Sequence, residues 1–240
     1  MTTNDFLTDK TVLVTGAARG LGRALVDAAL DHGAKRVYAG ARRPVPHPDS
    51  RVVPLALDIT DAEQIELAAK TVEELDMLIN NAGVASYAGL EDRAELERML
   101  AVNLYGPYDV SHAFRHQLGA SRGTLVNVLS TSSVAAVPLM PAYSISKAAA
   151  YSFTQVLRAM LAPKGIRVHA VLAGPLDTDM SKDLDIPKTA PEAVAAEIMA
   201  AVAAGVEDIF PDPAAAALAA GWFDAPVTAM QRELAGMVAA

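Results

Sequence analysis

Short runs of apolar residues alternate along this chain with longer segments in which apolar residues recur at helical spacing. The first run, TVLVT at 11–15, is followed by a glycine turn and the amphipathic segment LGRALVDAALDHG. Similar runs predict strands at 36–40, 52–58, 76–80, 124–130 and 166–173. Helical periodicity predicts helices at 61–73, at 92–117, around 143–147 and at 191–204. Short buried strands that alternate with helices indicate a parallel sheet with helices on both faces.

The chain shows no internal repeat and no linker that would divide it. We therefore expect residues 1–240 to form one α/β domain built on a doubly wound parallel sheet. The proline-rich polar segment at 41–50 fits a surface loop. After Met180 the pattern weakens into SKDLDIPKTAP, which is typical of a mobile loop, and no element is predicted beyond Gly205.

Composition excludes several classes of function. The formal net charge is −8 and the basic residues are scattered, which argues against nucleic-acid partners and against anionic membrane surfaces. The chain has no cysteine, so disulfides and thiol nucleophiles are excluded. No secretory leader and no uncharged apolar stretch of about 18 residues is present. We expect a soluble, cytoplasmic protein.

A glycine-rich segment, TGAARGLG at 15–22, lies between the first predicted strand and the first predicted helix. Gly16 permits a tight turn, Gly20 lets the backbone approach a phosphate, and Gly22 permits close packing of the helix. The amide groups at the start of the helix then face a pyrophosphate. Glycines at this spacing occur in many loops, but their position between strand and helix favours a dinucleotide site.

The end of the second predicted strand bears on the choice between NAD and NADP. An acidic residue at that point would bind the ribose hydroxyls of NAD, but Ala41 stands there and Arg42 follows. Arg19 lies inside the glycine-rich segment. Two guanidinium groups can hold a 2′-phosphate, so NADP is favoured over NAD. The alternative is that both arginines are solvated surface residues.

A tyrosine and a lysine follow each other at helical spacing in PAYSISKAAA, residues 141–150. Tyr143 and Lys147 are four positions apart on a predicted helix, so they share one face. A phenol beside an ammonium group is either an accident of the surface or a proton donor with a lowered pKa.

Together, TGAARGLG at 15–22, NNAG at 80–83 and YSISK at 143–147 resemble the short-chain dehydrogenase/reductase family over residues 10–180. The resemblance implies a Rossmann-type fold with about seven parallel strands, a nicotinamide cofactor, and a loop and helix at about 180–205 that shape the substrate pocket. It implies catalytic roles for Asn103, Ser130, Tyr143 and Lys147. The predicted cofactor-binding set is Thr15, Gly16, Arg19, Gly20, Leu21, Gly22, Arg42, Asp58, Ile59, Asn81, Ala82, Gly83, Tyr143, Lys147, Gly174, Leu176 and Thr178.

Single members of this set have structural alternatives. Ser130 could cap the end of a strand, and Asn103 could be a polar residue in the interior of a helix. Asp58 could cap the helix that follows, a role compatible with contact to the adenine.

Two histidines at helical spacing, His112 and His116, would suit a metal, but no acid of the HExxH type lies between them. We therefore predict no metal site and an exposed helix face.

The mechanism expected from these residues is carbonyl reduction. Tyr143 would donate the proton, and Lys147 with the cationic nicotinamide would lower its pKa. Ser130 would donate a hydrogen bond to the substrate oxygen. Pro107 has no N–H, so the carbonyl of Asn103 is free for a water that relays protons, as the resemblance implies; a kinked helix is the alternative.

The function predicted from the sequence is that of an NADPH-dependent oxidoreductase that interconverts a ketone or aldehyde and an alcohol. Val84, Met140 and Leu176 suggest an apolar substrate, and we expect a homodimer or homotetramer. The alternative is an NADP-binding regulatory or interaction protein without turnover. A third possibility keeps the fold but changes the reaction to dehydration or epimerisation.

Overall fold

The computed structural model describes residues 5–222 together with Ala225 and Met230. Within these residues seven parallel strands form one sheet in the order β3-β2-β1-β4-β5-β6-β7. The strands are Thr11–Thr15 (β1), Arg36–Ala41 (β2), Val52–Ala56 (β3), Met77–Asn80 (β4), Thr124–Val128 (β5), Arg167–Val171 (β6) and Asp208–Ile209 (β7). The strand order reverses between β1 and β4, so the carboxyl ends of these strands flank the crevice where open α/β sheets bind ligands.

Helices cover both faces of the sheet. They are Gly20–Asp31 (α1), Ala62–Thr71 (α2), Arg93–Leu100 (α3), Gly106–Ala113 (α4), Arg115–Ser121 (α5), Pro141–Leu161 (α6), Pro191–Ala203 (α7) and Pro213–Ala219 (α8). Alternate residues of β1 point to opposite faces. Val12 and Val14 pack into a core with α1 and α7, whereas Leu13 packs with Phe114 on the other face. Each face of the sheet is thus covered by a hydrophobic core, as is usual for a parallel sheet.

The structure confirms the predicted fold, and each of the six predicted strands is present. β7 was not predicted because a strand of two residues leaves no periodic pattern. α8 has only seven residues and is mostly alanine, so it shows no apolar stripe. Residues 223–224, 226–229 and 231–240 lie outside the described residues. In the part of the chain that the structure describes, no helix is long and apolar enough to cross a bilayer.

The single helix predicted at 92–117 is wrong, because the segment breaks into α3, a π-helical turn at Ala101–Tyr105, α4 and α5. The N–H of Gly106 bonds back to the oxygen of Ala101, five residues earlier. Pro107 follows and offers no N–H at all, so regular α-helical bonding cannot pass through this point. A second break lies at Phe114, whose ψ of 8° leaves the helical range.

Candidate active site

A cavity of about 1560 Å³ opens at the carboxyl ends of the strands. Pockets for single small ligands are about 300–1,000 Å³, so this cavity has room for a dinucleotide and a substrate together. Every residue of the predicted site lines it except Thr15 and Asn103. The fold therefore brings together residues that are as far apart in sequence as Gly16 and Thr178.

The glycine-rich segment has the geometry that a phosphate cradle requires. Gly16 and Gly20 have φ angles of 67° and 53°, in the left-handed region that favours glycine. A Cβ on Gly22 would lie 2.1 Å from the oxygen of Gly16. The N-cap residue of α1, Arg19, makes no side-chain hydrogen bond to the first turn, so the N–H groups of that turn remain available to an anion. These observations fit a dinucleotide pyrophosphate.

Thr15 supports the site from behind and does not line the cavity. Its side chain is buried, and its hydroxyl oxygen accepts hydrogen bonds from the N–H groups of Asn81, at 3.0 Å, and Ala82, at 3.1 Å. The Asn81 side-chain amide returns a bond to the Thr15 carbonyl at 2.9 Å. Thr15 therefore shapes the turn at 81–83, and its predicted contact with the cofactor stays a prediction.

Arg19, Arg42 and Arg43 line the cavity and differ in their surroundings. Arg42 is exposed, and so is its neighbour Arg43, which also lines the cavity but was not predicted. Neither forms an ion pair with any residue that the structure describes. Arg19 pairs with Asp179 of the loop after β6. The end of β2 therefore presents two free guanidinium groups to a ligand.

Asp58 lies at the wall of the cavity without capping α2. Its carboxylate accepts hydrogen bonds from the N–H and the hydroxyl of Thr60, at 3.0 and 2.8 Å. The N-cap of α2 is Asp61, whose side chain accepts from the N–H groups of Glu63 and Gln64. The capping alternative proposed for Asp58 is therefore wrong, since that role belongs to Asp61.

Tyr143 and Lys147 share one face of α6, as their spacing predicts. The Lys147 Nζ atom lies 5.9 Å from the centroid of the Tyr143 ring. It donates a hydrogen bond to the backbone oxygen of Val128 at 3.0 Å. Only 6% of Lys147 is exposed, and this burial lowers its pKa to about 8.

The phenol of Tyr143 is held in its protonated form by its surroundings. Burial raises its pKa, a hydrogen bond with Ser130 offsets part of that rise, and the nearby phenol of Tyr87 adds to it. The expected lowering of the Tyr143 pKa is thus not produced by the chain's own groups. A protonated phenol at neutral pH is suited to donate a proton.

Ser130 caps a turn and also faces the cavity. Its hydroxyl oxygen accepts a hydrogen bond from the N–H of Ser132 at 3.1 Å and so caps a short 3₁₀ turn, Thr131–Ser133. The same side chain lines the cavity and lies beside the Tyr143 phenol, whose pKa burial raises and Ser130 lowers in part. The cap therefore fixes the hydroxyl at the end of β5, next to the phenol.

Asn103 lies in the π-helical turn and is fully engaged within the protein. Its side-chain oxygen accepts from the N–H of Val84 at 3.0 Å. Its side-chain nitrogen donates to the carbonyl of Val84 and to the hydroxyl of Ser146, both at 2.9 Å. The Asn103 side chain therefore connects Val84 to Ser146 of α6 through hydrogen bonds. It does not line the cavity.

Part of the cavity is lined by apolar side chains. Val84, Met140 and Leu176 line it, as the sequence suggested. Further apolar residues that the sequence did not reveal are Tyr87, Val137, Leu139, Met180, Leu184 and Ile186. They belong to irregular segments, where no periodic pattern marks the side that faces a ligand.

The predicted helix face with two histidines is also interrupted. His112 lies in α4 and His116 in α5, and the Nε2 atom of His112 lies 2.6 Å from a guanidinium nitrogen of Arg115. Among the residues that the structure describes, no group of three His, Cys, Asp or Glu side chains could hold a metal ion.

Comparison with known proteins gives the same family throughout. The profile of the short chain dehydrogenase family matches residues 10–188. A solved structure of a short chain dehydrogenase from Burkholderia cenocepacia in complex with NADP superimposes with a TM-score of 0.86. The two sequences are 37% identical, and the match covers 95% of this chain and 98% of that one.

Curated relatives agree with this result. The short chain dehydrogenase pigC of Monascus ruber is 35% identical over 196 residues, which cover 72% of this chain and 65% of that protein. The NAD-dependent glycerol dehydrogenase of Listeria innocua is 34% identical over 188 residues, which cover 73% of this chain and 74% of that protein.

Proposed function

The chain belongs to the short-chain dehydrogenase family, and from this premise we propose that it is an NADPH-dependent oxidoreductase that interconverts a ketone or aldehyde and an alcohol. Ser130, Tyr143 and Lys147 line the same cavity as the glycine-rich segment that precedes α1. This observation carries the proposal. A proton donor, a hydrogen-bond donor and a cation thus stand beside the space for a nicotinamide.

The chemistry divides between the cofactor and the chain. A bound nicotinamide supplies the hydride to the carbonyl carbon or takes it from the alcohol. Tyr143 gives the proton to the substrate oxygen, and Ser130 stabilises the negative charge that develops there. Lys147, held by the carbonyl of Val128, keeps a positive charge near the phenolate that remains.

The preference for NADP rests on the free guanidinium groups of Arg42 and Arg43, which suit a 2′-phosphate. Arg19 contributes to binding of the 2′-phosphate only when its ion pair with Asp179 breaks. The Burkholderia cenocepacia relative binds NADP, and the Listeria innocua relative is NAD-dependent by name. Family membership alone therefore does not decide between NADP and NAD. We base the preference for NADP on the two arginines at the end of β2.

The substrate we propose is an apolar carbonyl compound or alcohol, because aliphatic and aromatic side chains line one wall of the cavity. The predicted loop and helix at 180–205 contribute Met180, Leu184 and Ile186 to this wall. Assembly as a homodimer or homotetramer and a cytoplasmic location stay predictions.

The proposal is tested by offering a panel of ketones and aldehydes with NADPH and following the oxidation of the cofactor. We expect turnover of apolar carbonyl compounds by the unmodified protein and none by Tyr143→Phe, while both bind NADPH. NADPH binding without turnover of any compound would favour the regulatory alternative instead. Products that have lost water or changed configuration would favour the dehydration or epimerisation alternative.

A further inference from the structure

A buried carboxylate holds the start of the segment that leaves β6 and enters the cavity wall. The N–H of Gly174 donates a hydrogen bond to Oδ2 of Asp212 at 2.7 Å. The other carboxylate oxygen accepts from the N–H of Ala215 at 3.0 Å, which caps α8. Only 4% of Asp212 is exposed. One side chain therefore joins the carboxyl-terminal segment to Gly174 in the cavity wall.

The carboxylate of Asp212 depends on these backbone donors. It forms no ion pair with any described residue, so its burial is offset by charge-assisted hydrogen bonds from N–H groups. Gly174 in turn must be glycine at this place. A Cβ there would lie 2.6 Å from Oδ1 of Asp212 and 3.0 Å from the Cβ of Ala214. The two residues fit each other closely.

The rest of the wall segment is held elsewhere. The N–H of Asp177 donates to the carbonyl of Thr189 at 2.9 Å, and the N–H of Thr189 donates to the carbonyl of Pro175 at 3.1 Å. Thr178 packs near the glycine-rich segment, at Gly20. These contacts hold Pro175, Asp177 and Thr178. On the other side of Gly174, the carbonyl of Ala173 accepts a hydrogen bond from the N–H of Thr131 at 2.9 Å, and Asp212 holds the N–H of Gly174 itself.

We propose that Asp212 is a positioning residue for the nicotinamide half of the cofactor. By holding Gly174, it sets the path of the wall from Gly174 to Thr178. This wall directly follows Ala173, whose carbonyl accepts a hydrogen bond from the N–H of Thr131, the residue after Ser130. The inference rests on the proposed function, since it assigns that wall to the nicotinamide. It adds that a residue outside the cavity, in the segment between β7 and α8, determines how well that half is bound.

The test separates the two halves of the ligand. Binding of NADPH is compared with binding of adenosine 2′,5′-bisphosphate, which carries the adenosine half and no nicotinamide, by isothermal titration calorimetry. Asp212→Ala removes both acceptors, and Asp212→Asn keeps only one. We expect the Kd of NADPH to rise about tenfold in Asp212→Ala, because a pre-organised wall is lost, and less in Asp212→Asn. The Kd of the bisphosphate should stay within about twofold.

The matched control is Asp208→Asn, the same chemical change at a second buried aspartate of the same segment. Asp208 accepts hydrogen bonds from Tyr151 and Arg158 and does not line the cavity. This variant should lose stability without a selective loss of NADPH binding. Gly174→Ala, which forces a methyl group toward Asp212 from the other side, should reproduce the selective loss. It also carries the test if Asp212→Ala does not fold, as judged by circular dichroism.

Equal losses for NADPH and the bisphosphate, or an unchanged NADPH Kd in a folded Asp212→Ala, would overturn the inference. A selective loss in Asp208→Asn as well would also overturn it, because the effect would then be one of general destabilisation. If the unmodified protein does not bind NADPH at all, the proposed function fails, and this result is distinct from a failure of Asp212 alone.

Discussion

The ammonium group of Lys147 lies 5.9 Å from the centre of the Tyr143 ring and is anchored on the backbone oxygen of Val128. One helical turn sets the spacing of the two side chains, and the end of β5 sets the direction of the lysine. Both groups are kept in the form that carbonyl reduction needs at neutral pH. The phenol is protonated because burial raises its pKa, and the lysine is charged below about pH 8.

Removing the phenol hydroxyl tests its role as proton donor. Tyr143→Phe keeps the ring and its packing, so we expect nearly complete loss of turnover with an unchanged Kd for NADPH. Retention of most activity on a good substrate would show that another group donates the proton. Steady-state kinetics and calorimetry on the same preparation make this measurement.

Removing the Ser130 hydroxyl should cost on the order of a hundredfold in rate, like the loss of another donor to a developing oxyanion. The change also removes the cap of the turn Thr131–Ser133, which is worth about 1 kcal/mol of stability. Ser133→Ala is the control, because it disturbs the same turn from its other end. If both variants lose rate equally, the effect comes from the turn and not from the hydroxyl.

Burial of Lys147 predicts a pH dependence of stability. Its pKa is about 8 in the folded protein against 10.5 for the free side chain, so between these values the unfolded chain binds more protons. Stability from this group therefore rises with pH across that window, by on the order of 3 kcal/mol in total. Lys147→Met has no such group, so its free energy of unfolding lacks this rise. As the pH increases across the window, the unmodified protein should therefore become more stable relative to Lys147→Met by about this amount.

Urea denaturation at pH 7.5 to 10.5, a range of about three units, gives this difference directly. Tyr143 is present in both proteins, so its own titration cancels. Lys164→Met, at an exposed position, serves as the control and should show no comparable shift. A difference between the unmodified protein and Lys147→Met that is flat with pH would contradict the prediction.

The alternation of strand and helix was predictable because a strand buried on both faces is mostly apolar, as the runs at 12–14 of β1 and at 77–79 of β4 are. The pairing of Tyr143 and Lys147 was predictable because helical spacing alone places them on one face. The break at Ala101–Tyr105 was not. The sequence shows that Pro107 lacks an N–H, but it does not show that Gly106 will bond to Ala101 instead.

Side-chain roles were harder to predict than positions. Thr15 belongs to the motif at 15–22, but the sequence cannot show that its hydroxyl faces the turn at 81–83 and not the cavity. The same holds for Asn103, whose amide is occupied by Val84. Asp212 was missed because a long-range hydrogen bond to Gly174 leaves no local pattern in the sequence.

The turn at 81–83 should depend on the hydroxyl of Thr15. Thr15→Val leaves the part-buried N–H groups of Asn81 and Ala82 without this acceptor, at up to about 1–3 kcal/mol each. We expect a lower free energy of unfolding and weaker NADPH binding, because the turn lines the cavity. Thr11→Val is the control in the same strand, since the Thr11 hydroxyl bonds to no described residue. Equal stability of the two variants would contradict the role assigned to Thr15.

The cofactor preference should depend on Arg42. We expect NADPH to bind more tightly than NADH, and Arg42→Ala to reduce that preference by about 1–3 kcal/mol, the range of a charge-assisted hydrogen bond. Arg36→Ala, at the opposite end of β2, removes the same charge away from the cavity and should leave the preference unchanged. Equal Kd values for NADPH and NADH in the unmodified protein would refute the prediction.

Replacing Pro107 tests whether the break in the helix serves catalysis. Pro107 cannot offer an N–H to the carbonyl of Asn103, which leaves that oxygen able to bind a water that relays protons from Lys147. Pro107→Ala supplies the missing N–H. The stability of the helix should change little, because Pro107 lies in the first turn of α4, where proline is tolerated. Turnover should nevertheless fall, while the Kd of NADPH stays unchanged.

The structure of the Pro107→Ala variant must accompany its kinetics, because the packing of Gly106 against Ile59 opposes a regular helix here. Pro163→Ala, in an exposed turn far from the cavity, is the control and should leave turnover unchanged. The fall in rate should be largest where proton exchange with solvent limits turnover, and a pH profile of kcat measures it. If the new N–H bonds the carbonyl of Asn103 and the profile is still unchanged, that oxygen has no part in proton transfer.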